Sequence, residues 1–306
     1  MIKKISVIII ALLVSSCYVE EKESATRGDL TVQISDGYQD LVQREANLFQ
    51  ELYPQAKFTV IPASTRETIV NMLNDSINLI VVDRAMNNEE RQVYKQAQLD
   101  VQEIKIALDA LVIMVNADNS INNISLENLK RVLQGQISNW KLLNGSNLSG
   151  EIEVACTGRN SGSFELIQKH LLDSAFTFFP DTILARQSDI VQHTIKNKYT
   201  LGIISNACYG SIRSTADSAT VRLLSIGVAD STNKLHDYYP YQAYIYGGEY
   251  PLHYPVYVYV RSDKSELALG FSSFIASAAG QKIILNYGLV PATQPVRLVQ
   301  ITQEQL

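Results

Sequence analysis

The stretch that most constrains the fold is residues 151–172, EIEVACTGRNSGSFELIQKHLL. Ile152, Val154 and Cys156 alternate with other residues, a pattern typical of a half-buried strand. From Phe164 onward, apolar residues recur at helical spacing. Between the two patterns, residues 157–163 are small, polar or basic and include two glycines. The stretch therefore predicts a strand, a loop and a helix in succession.

The predicted helix start in this stretch is a candidate anion site. Ser161 and Ser163 lie where the first turn needs a cap, and Gly162 allows a close approach of the backbone. A helix N-terminus has unpaired N–H groups and the positive end of the helix dipole, so it favours anions. Arg159 adds an always-charged guanidinium close by. An ordinary capped helix with a surface arginine has the same composition, and these residues alone leave both interpretations open.

The N-terminus indicates an exported lipoprotein. Residues 1–17 contain two lysines, an apolar run and then small residues, which is typical of a secretory signal peptide too short to span a bilayer. The ending LVSSC resembles a bacterial lipobox, so we expect lipidation of Cys17 and anchoring of the protein in the cell envelope of a bacterium. Residues 18–29 are polar and charged, and we expect them to form a flexible tether.

Composition limits the classes of function. The formal net charge of −5, without a stripe of Lys and Arg, argues against a nucleic-acid partner. The four histidines share no metal-ligand spacing and no nucleophile–base pair is recognisable, so we expect no metal, no cofactor and no enzymatic activity. Cys156 and Cys208 both follow apolar runs, and the sequence leaves open whether they form a disulfide or two buried thiols.

Strands and helices alternate along the first part of the chain. The predicted strands are 30–35, 57–61 and 77–82, and the predicted helices are 41–53 and 67–73. This order is typical of a mostly parallel sheet, in which ligands bind at the carboxyl ends of strands. The residues that follow these strands are Ser35-Asp36, Ser64-Thr65-Arg66 and Asp83-Arg84.

Four segments together indicate a family. They are IALDALVIMVNADNSINNISLENLKRVLQGQISNW, TGRNSGSFELI, YPLHYPVYVYV and GQKIILNYGLVP. In this order and spacing they resemble type II periplasmic binding proteins of the phosphate-binding branch, the capture component of phosphate ABC importers. The resemblance implies an α/β fold of two lobes, each a mostly parallel sheet flanked by helices, with a ligand cleft between them. The expected lobes are 30–110 plus 246–306 and 111–245.

The resemblance also implies a set of ligand-binding residues. Arg159 and Ser161-Gly162-Ser163 match an arginine and serine–glycine motif of the family, although the arginine is closer to the serine than is usual. Ser35 retains a family hydroxyl, whereas Asp36 replaces the hydroxyl that follows it. The candidate ligand residues are Ser35, Asp36, Thr65, Arg66, Asp83, Arg84, Arg159, Ser161, Gly162 and Ser163.

One of the two acidic candidates is expected to select phosphate over sulfate. Phosphate at neutral pH carries a proton that a carboxylate accepts, whereas sulfate carries none and is repelled. Asp36 is preferred to Asp83 because it replaces a family hydroxyl at a strand end that should face the cleft. The alternative for Asp36 is to cap the helix of residues 39–52.

Two other residues are expected to have structural roles. Asp109 interrupts the apolar run of residues 104–115. Because a charge in a buried strand needs a partner, we expect it to serve as a hinge or interlobe hydrogen-bond acceptor. Trp140, the only tryptophan, is expected to be a packing residue.

Two functions follow from these expectations. The first is an extracytoplasmic, lipid-anchored solute-binding protein, a monomer, that captures phosphate or a similar oxyanion for an ABC permease in the membrane. The alternative is a non-transport lipoprotein that uses the same fold for sensing, adhesion or partner binding. The many tyrosines between Tyr238 and Tyr259 would suit that alternative as an exposed aromatic face.

Overall fold

A computed structural model describes residues 22–172, 176–213 and 215–293. The signal peptide and Cys17 lie outside the described residues. The strands are β1 (Gly28–Ser35), β2 (Ala56–Ala63), β3 (Leu79–Val82), β4 (Val101–Asn116), β5 (Asn123–Ser125), β6 (Glu153–Thr157), β7 (Thr182–Leu184), β8 (Thr200–Ser205), β9 (Val221–Leu223), β10 (Ser225–Ala229), β11 (Leu235–Tyr238), β12 (His253–Arg261) and β13 (Val290–Pro291). The α-helices are α1 (Gln39–Leu52), α2 (Thr65–Leu73), α3 (Asn88–Gln96), α4 (Leu126–Leu133), α5 (Gly162–Leu166), α6 (Gln187–Lys196), α7 (Asn206–Ile212), α8 (Gln242–Gly247), α9 (Glu266–Ala276) and α10 (Ala278–Asn286).

The first four strands and β12 build a sheet of order β2, β1, β3, β12 and β4. β1 pairs in parallel with β2 and with β3, so the carboxyl ends of these three strands lie at one edge. All four residues of β3 are buried, which explains why it reads as a continuous apolar run rather than an alternating one. β12 closes the arrangement by running antiparallel to both β3 and β4.

Aromatic packing holds α1 to this sheet. Phe49 of α1 lies edge-on to Phe58 of β2 at 5.5 Å and to Phe271 of α9 at 5.6 Å between ring centroids. Leu41, Val42 and Ala46, on the same side of the helix, are also buried. The helix therefore has one apolar face, which covers the sheet.

Strand β4 changes its partners midway and so belongs to two sheets. Its residues up to Ala110 pair with β12, whereas Leu111 to Val115 pair with β8. The second sheet continues from β8 to β6 and β7, again in parallel. The change of partner coincides with our expected boundary between 30–110 and 111–245, and the division into two lobes stays a proposal.

Residues 22–29, the described part of the predicted tether 18–29, do not form a flexible tether. The backbones of Ser24 and Arg27 are hydrogen-bonded to each other, and β1 begins at Gly28. The Glu23 carboxylate accepts hydrogen bonds from Ser265 Oγ at 2.6 Å and from the Leu267 N–H at 3.0 Å, at the start of α9. Residues 22–29 therefore belong to the folded body of the protein.

The stretch 151–172 is the predicted strand, loop and helix, with two differences. β6 is not half-buried, because Val154 to Thr157 are buried without alternation between parallel neighbours. The helix begins at Gly162, earlier than Phe164, and passes after Leu166 into a single π-helical turn, Ile167–Leu171.

Trp140 and the two cysteines have packing roles. Trp140 is fully buried, and its indole N–H donates to the Tyr199 carbonyl at 2.9 Å, which confirms its expected place in the core. Cys156 and Cys208 are both buried free thiols.

No described helix by itself has both the length and the apolar character needed to cross a membrane. Only α9 and α10 taken together do, by length and composition, and these two helices meet at a bend of 61°.

Candidate functional site

The carboxyl ends of β1, β2 and β3 bring together three of the predicted residues. Ser35 ends β1, Thr65 begins the helix directly after β2, and Asp83 follows β3. The Thr65 hydroxyl donates to Asp83 Oδ1 at 2.7 Å, and Ser35 Oγ lies 3.2 Å from the same oxygen and 2.9 Å from Thr65 Oγ1. We call Ser35, Thr65 and Asp83 the carboxyl cluster.

The start of α5 lies against the carboxyl cluster from the other side of the cleft. The Gly162 N–H donates to Thr65 Oγ1 at 2.8 Å. A Cβ atom at position 162 would lie 2.1 Å from both Asp83 carboxylate oxygens. Only glycine permits this approach, which is the close backbone contact expected from the sequence.

A second group of hydroxyls shapes the loop before α5. Ser161 is the N-cap of the helix and accepts from the Phe164 N–H at 3.3 Å. Thr157 Oγ1 lies 2.7 Å from Ser161 Oγ and 2.8 Å from Ser163 Oγ. Thr157 is absent from the predicted set of ligand residues. Its position as the last residue of a predicted strand was the sequence feature that could have included it.

Burial controls the charge of Asp83. Its side chain is 3% exposed, and this burial raises the pKa of the carboxyl, while hydrogen bonds from Thr65 and Ser35 and the nearby Arg84 charge oppose the increase. On balance, the pKa of Asp83 is raised above the ordinary value of an aspartate. Asp83 therefore holds a proton more readily than an exposed aspartate, and it accepts the proton of an oxyanion only in its ionised form.

Among the described residues, the Asp36 side chain forms no hydrogen bond with the carboxyl cluster, although Asp36 directly follows Ser35. Its Oδ2 accepts from the Gln187 backbone N–H at 2.5 Å, and its carbonyl oxygen accepts from Gln187 Nε2 at 3.0 Å. It therefore binds the first residue of α6, across the cleft. Asp36 does not cap α1 either, since the N-cap of that helix is Tyr38, without a side-chain cap. The sequence contains no signal for the role of Gln187.

The three predicted arginines make their side-chain contacts outside the carboxyl cluster, but Arg159 lines a cavity of about 310 Å³ together with Asp36, Thr157 and Ser161. Arg84 forms ion pairs with Glu90 at 2.7 Å and Glu165 at 2.5 Å. Arg159 is exposed, and its guanidinium carbon lies 5.4 Å from the centre of the Phe179 ring. The Arg66 side chain is exposed, and its backbone N–H donates to the Asn160 carbonyl at 3.0 Å. Within residues 22–172, 176–213 and 215–293, none of the three forms an ion pair with Asp83.

Asp109 connects several elements at the place where β4 changes partner. It accepts from Tyr38 at 2.9 Å, from Tyr254 at 3.2 Å and from the Ala207 N–H at 3.4 Å. Burial raises the pKa of Asp109 to about 7, although these hydrogen bonds lower it. These contacts confirm that Asp109 is a hydrogen-bond acceptor for several elements, and its interlobe role stays a prediction.

The chemistry of the site is that of recognition. The hydroxyls, the Gly162 N–H and one carboxyl supply hydrogen-bond donors and an acceptor for a small oxyanion. Across the described ranges, no group of three or more His, Cys, Asp or Glu residues is arranged to hold a metal ion. Because Asp83 and Gly162 are in direct contact, a ligand reaches the space between them only when the two sides of the cleft separate.

Known proteins resemble this chain over most of its length. The PBP superfamily domain matches residues 19–279. The phosphate-binding protein PstS of Bacillus subtilis is 28% identical over 276 residues, which are 90% of this chain and 83% of that protein. Protein SphX of Synechococcus elongatus is 23% identical over 289 residues, which are 92% of this chain and 83% of that protein.

A solved structure shows the same fold. A putative phosphate ABC transporter substrate-binding protein from Clostridium perfringens, crystallised with bound phosphate, superposes with a TM-score of 0.72 at 19% identity. The superposition covers 87% of this chain and all of that chain (100%). The predicted α/β fold of a type II periplasmic binding protein is thereby confirmed.

Proposed function

Because the chain belongs to the PBP superfamily, we propose that it is an extracytoplasmic solute-binding protein that captures phosphate or a similar oxyanion for an ABC permease. The observation that carries this proposal is the carboxyl cluster: a buried Asp83 with two hydroxyl partners, facing the Gly162 N–H. Relatives named for phosphate binding support it. The superfamily is one of binding proteins, and we expect no enzymatic activity.

The donors of the site are hydroxyl and backbone N–H groups rather than guanidinium groups. Such donors bind phosphate and sulfate alike, so they do not discriminate between the two anions. The Asp83 carboxyl does discriminate, because it forms a hydrogen bond with a protonated phosphate oxygen but repels fully ionised sulfate. The selecting role expected of Asp36 passes in this proposal to Asp83, because Asp83 accepts hydrogen bonds from the Ser35 and Thr65 hydroxyls, whereas Asp36 accepts from Gln187.

Calorimetric titration of phosphate and sulfate into the wild-type protein tests the proposal. We expect binding of phosphate and little or no binding of sulfate. In Asp83→Asn, the uncharged amide is a weaker acceptor for the phosphate proton than the carboxylate. The binding free energy of phosphate should therefore weaken by about 1–3 kcal/mol, and the difference in affinity between phosphate and sulfate should become smaller.

The companion variant Asp36→Asn distinguishes the two carboxylates. It should retain the preference for phosphate, because Asp36 bonds Gln187 rather than the hydroxyls. A loss of selectivity in Asp36→Asn but not in Asp83→Asn would contradict our assignment. Absence of heat with phosphate at any concentration would contradict the proposed function itself.

The lipid anchor is a further part of the proposal and rests on the sequence of residues 1–17. We propose that Cys17 becomes the lipidated first residue of the mature protein. Cys17→Ser should then move the protein from the membrane fraction to the soluble fraction of cells that produce it. Equal membrane association of the variant and the wild type would contradict the anchor.

Exposed tyrosines favour one second candidate, a non-transport protein that binds a partner. The side chains of Tyr241 and Tyr246 are 62% and 59% exposed, and Tyr241 stacks on Tyr239 at 5.6 Å between ring centroids. Tyrosine is common at binding surfaces because its ring is apolar and its hydroxyl polar. The same phosphate titration decides between the candidates, since this second function requires no phosphate.

A further inference from the structure

A cavity of about 420 Å³ opens beside the carboxyl cluster. Asp83 and Arg84 line one side of it, and the walls include Leu111, Leu166, Leu171 and Leu252. The cavity lies where β4 changes partner, with α5 on one side and the segment before β12 on the other. The cavity therefore adjoins the proposed phosphate site, with which it shares Asp83 and helix α5.

The cavity is larger and more apolar than inorganic phosphate requires. Pockets for organic ligands have volumes of about 300–1,000 Å³ and mostly hydrophobic walls with a few polar groups. Inorganic phosphate is a small, polar ion and offers no apolar surface for the leucine side chains of the wall to contact. The size and the walls of this cavity suit an organic group of several carbon atoms.

The two positively charged side chains that line the cavity, Arg84 and Lys169, already form ion pairs with carboxylates. Arg84 is paired with Glu90 and Glu165, and the Lys169 ammonium is also paired with Glu165. These pairs leave little positive charge to attract a second anion. The cavity therefore adds apolar contact area beside the phosphoryl site rather than another anion site.

Asp83 connects the carboxyl cluster to the cavity. Ser35 and Thr65 both contact its Oδ1 atom. In the described ranges, no residue donates a hydrogen bond to the second oxygen, Oδ2. The Asp83 side chain also lines the cavity. A phosphoryl group bound at this carboxyl can thus direct a substituent between the leucines.

We propose that the ligand of this cleft is a phosphate monoester with a compact, largely apolar organic group. The phosphoryl group binds at the carboxyl cluster, and the organic group fills the cavity. The inference rests on the proposed function, because it assigns the substrate class of the same site.

Calorimetric titrations with inorganic phosphate, n-butyl phosphate and phenyl phosphate test this inference. A pH of about 5.5 leaves a proton on most of each ester, because the second pKa of a phosphate ester is about 6. Each methylene group removed from water should tighten binding about four-fold. We expect both esters to bind at least ten-fold more tightly than inorganic phosphate.

Two variants that fill the cavity locate the organic group. Leu166→Trp and Ala85→Phe place larger side chains at partly exposed positions of the cavity wall. In each, the ratio of the inorganic phosphate Kd to the ester Kd should fall to less than two. Leu142→Trp is the matched control, because Leu142 is 56% exposed and lies outside the cavity, and it should preserve the wild-type ratio.

The outcomes separate this inference from the proposed function. Binding of inorganic phosphate with equal or weaker binding of both esters would overturn the inference and leave the proposed function standing. An ester preference that survives both cavity variants would also overturn it. Failure of all three compounds to bind would contradict both proposals.

Discussion

At the scale of single residues, α1 shows where periodicity misleads. The apolar spacing predicts Leu52 on the buried side, yet Leu52 is 55% exposed. Glu45 is 1% exposed instead, on the face that also carries Leu41 and Phe49. Helical spacing places Glu45 on that face, but its charge argues against burial, and packing overrides the charge.

Glu45 has an unusual environment for a carboxyl group. Among the described residues, neither of its carboxylate oxygens has a hydrogen-bond partner. Burial raises the pKa of Glu45 from 4.5 to about 8. Because the unfolded chain loses this proton near pH 4.5 and the folded chain only near pH 8, burial destabilises the fold increasingly between these two pH values.

We therefore predict that Glu45→Gln gains stability relative to the wild type as pH rises. Between pH 5 and pH 8 the free energy of unfolding of the variant should improve by about 3 kcal/mol relative to the wild type. Below the pKa of the unfolded group, this ionisation difference disappears. Urea denaturation at a series of pH values measures the effect.

Glu51→Gln is the control for this prediction. Glu51 lies on the same helix but is exposed, so its substitution should not change the pH dependence. A difference between Glu45→Gln and the wild type that does not vary with pH would show that Glu45 is ionised in the folded protein.

At the scale of elements, two helix starts from the part of the chain after residue 110 contact strand ends from the part before it. The start of α5 meets Thr65 and Asp83, and the start of α6 meets Asp36. The Asp36 carboxylate satisfies an N–H group at the start of α6, which α6 itself leaves unpaired. Each contact joins an element before residue 110 to an element after it, so the two helix starts hold the cleft closed.

We predict that the cleft opens about strand β4. It continues without interruption from its pairing with β12 to its pairing with β8. A rotation about Ala110 and Leu111 changes the angle between the two sheets and leaves each sheet intact. The buried acceptor Asp109 lies directly beside this point.

At the scale of the whole molecule, we predict that ligand shifts the protein toward the closed form. A ligand that is held by groups on both sides of the cleft takes the place of the direct contact at Gly162 and joins the two sides through itself. Small-angle X-ray scattering with saturating phosphate should therefore give a smaller radius of gyration than scattering without it. The same concentration of sulfate is the control and should leave the curve unchanged.

A scattering curve unaffected by phosphate, in a sample where calorimetry shows saturation, would contradict closure about β4. An equal contraction with phosphate and sulfate would instead indicate a general effect of salt.

The sequence by itself determined the fold class, the order of most strands and helices, and the strand ends at which the cleft lies. These features follow from local periodicity and from turn residues, which act over a few positions of the chain. It also indicated the close approach at Gly162 and the acceptor role of Asp109, because a glycine in a polar loop and a charge in an apolar run are unusual locally.

Only the tertiary structure decided which carboxylate joins the hydroxyls. Asp36 and Asp83 both follow a buried strand, and nothing near them in the chain distinguishes them. Their partners, Gln187 for Asp36 and Thr65 and Gly162 for Asp83, come from distant segments. The shared cavity and the buried Glu45 have the same origin, since they depend on how separate elements pack and not on the composition of any one of them.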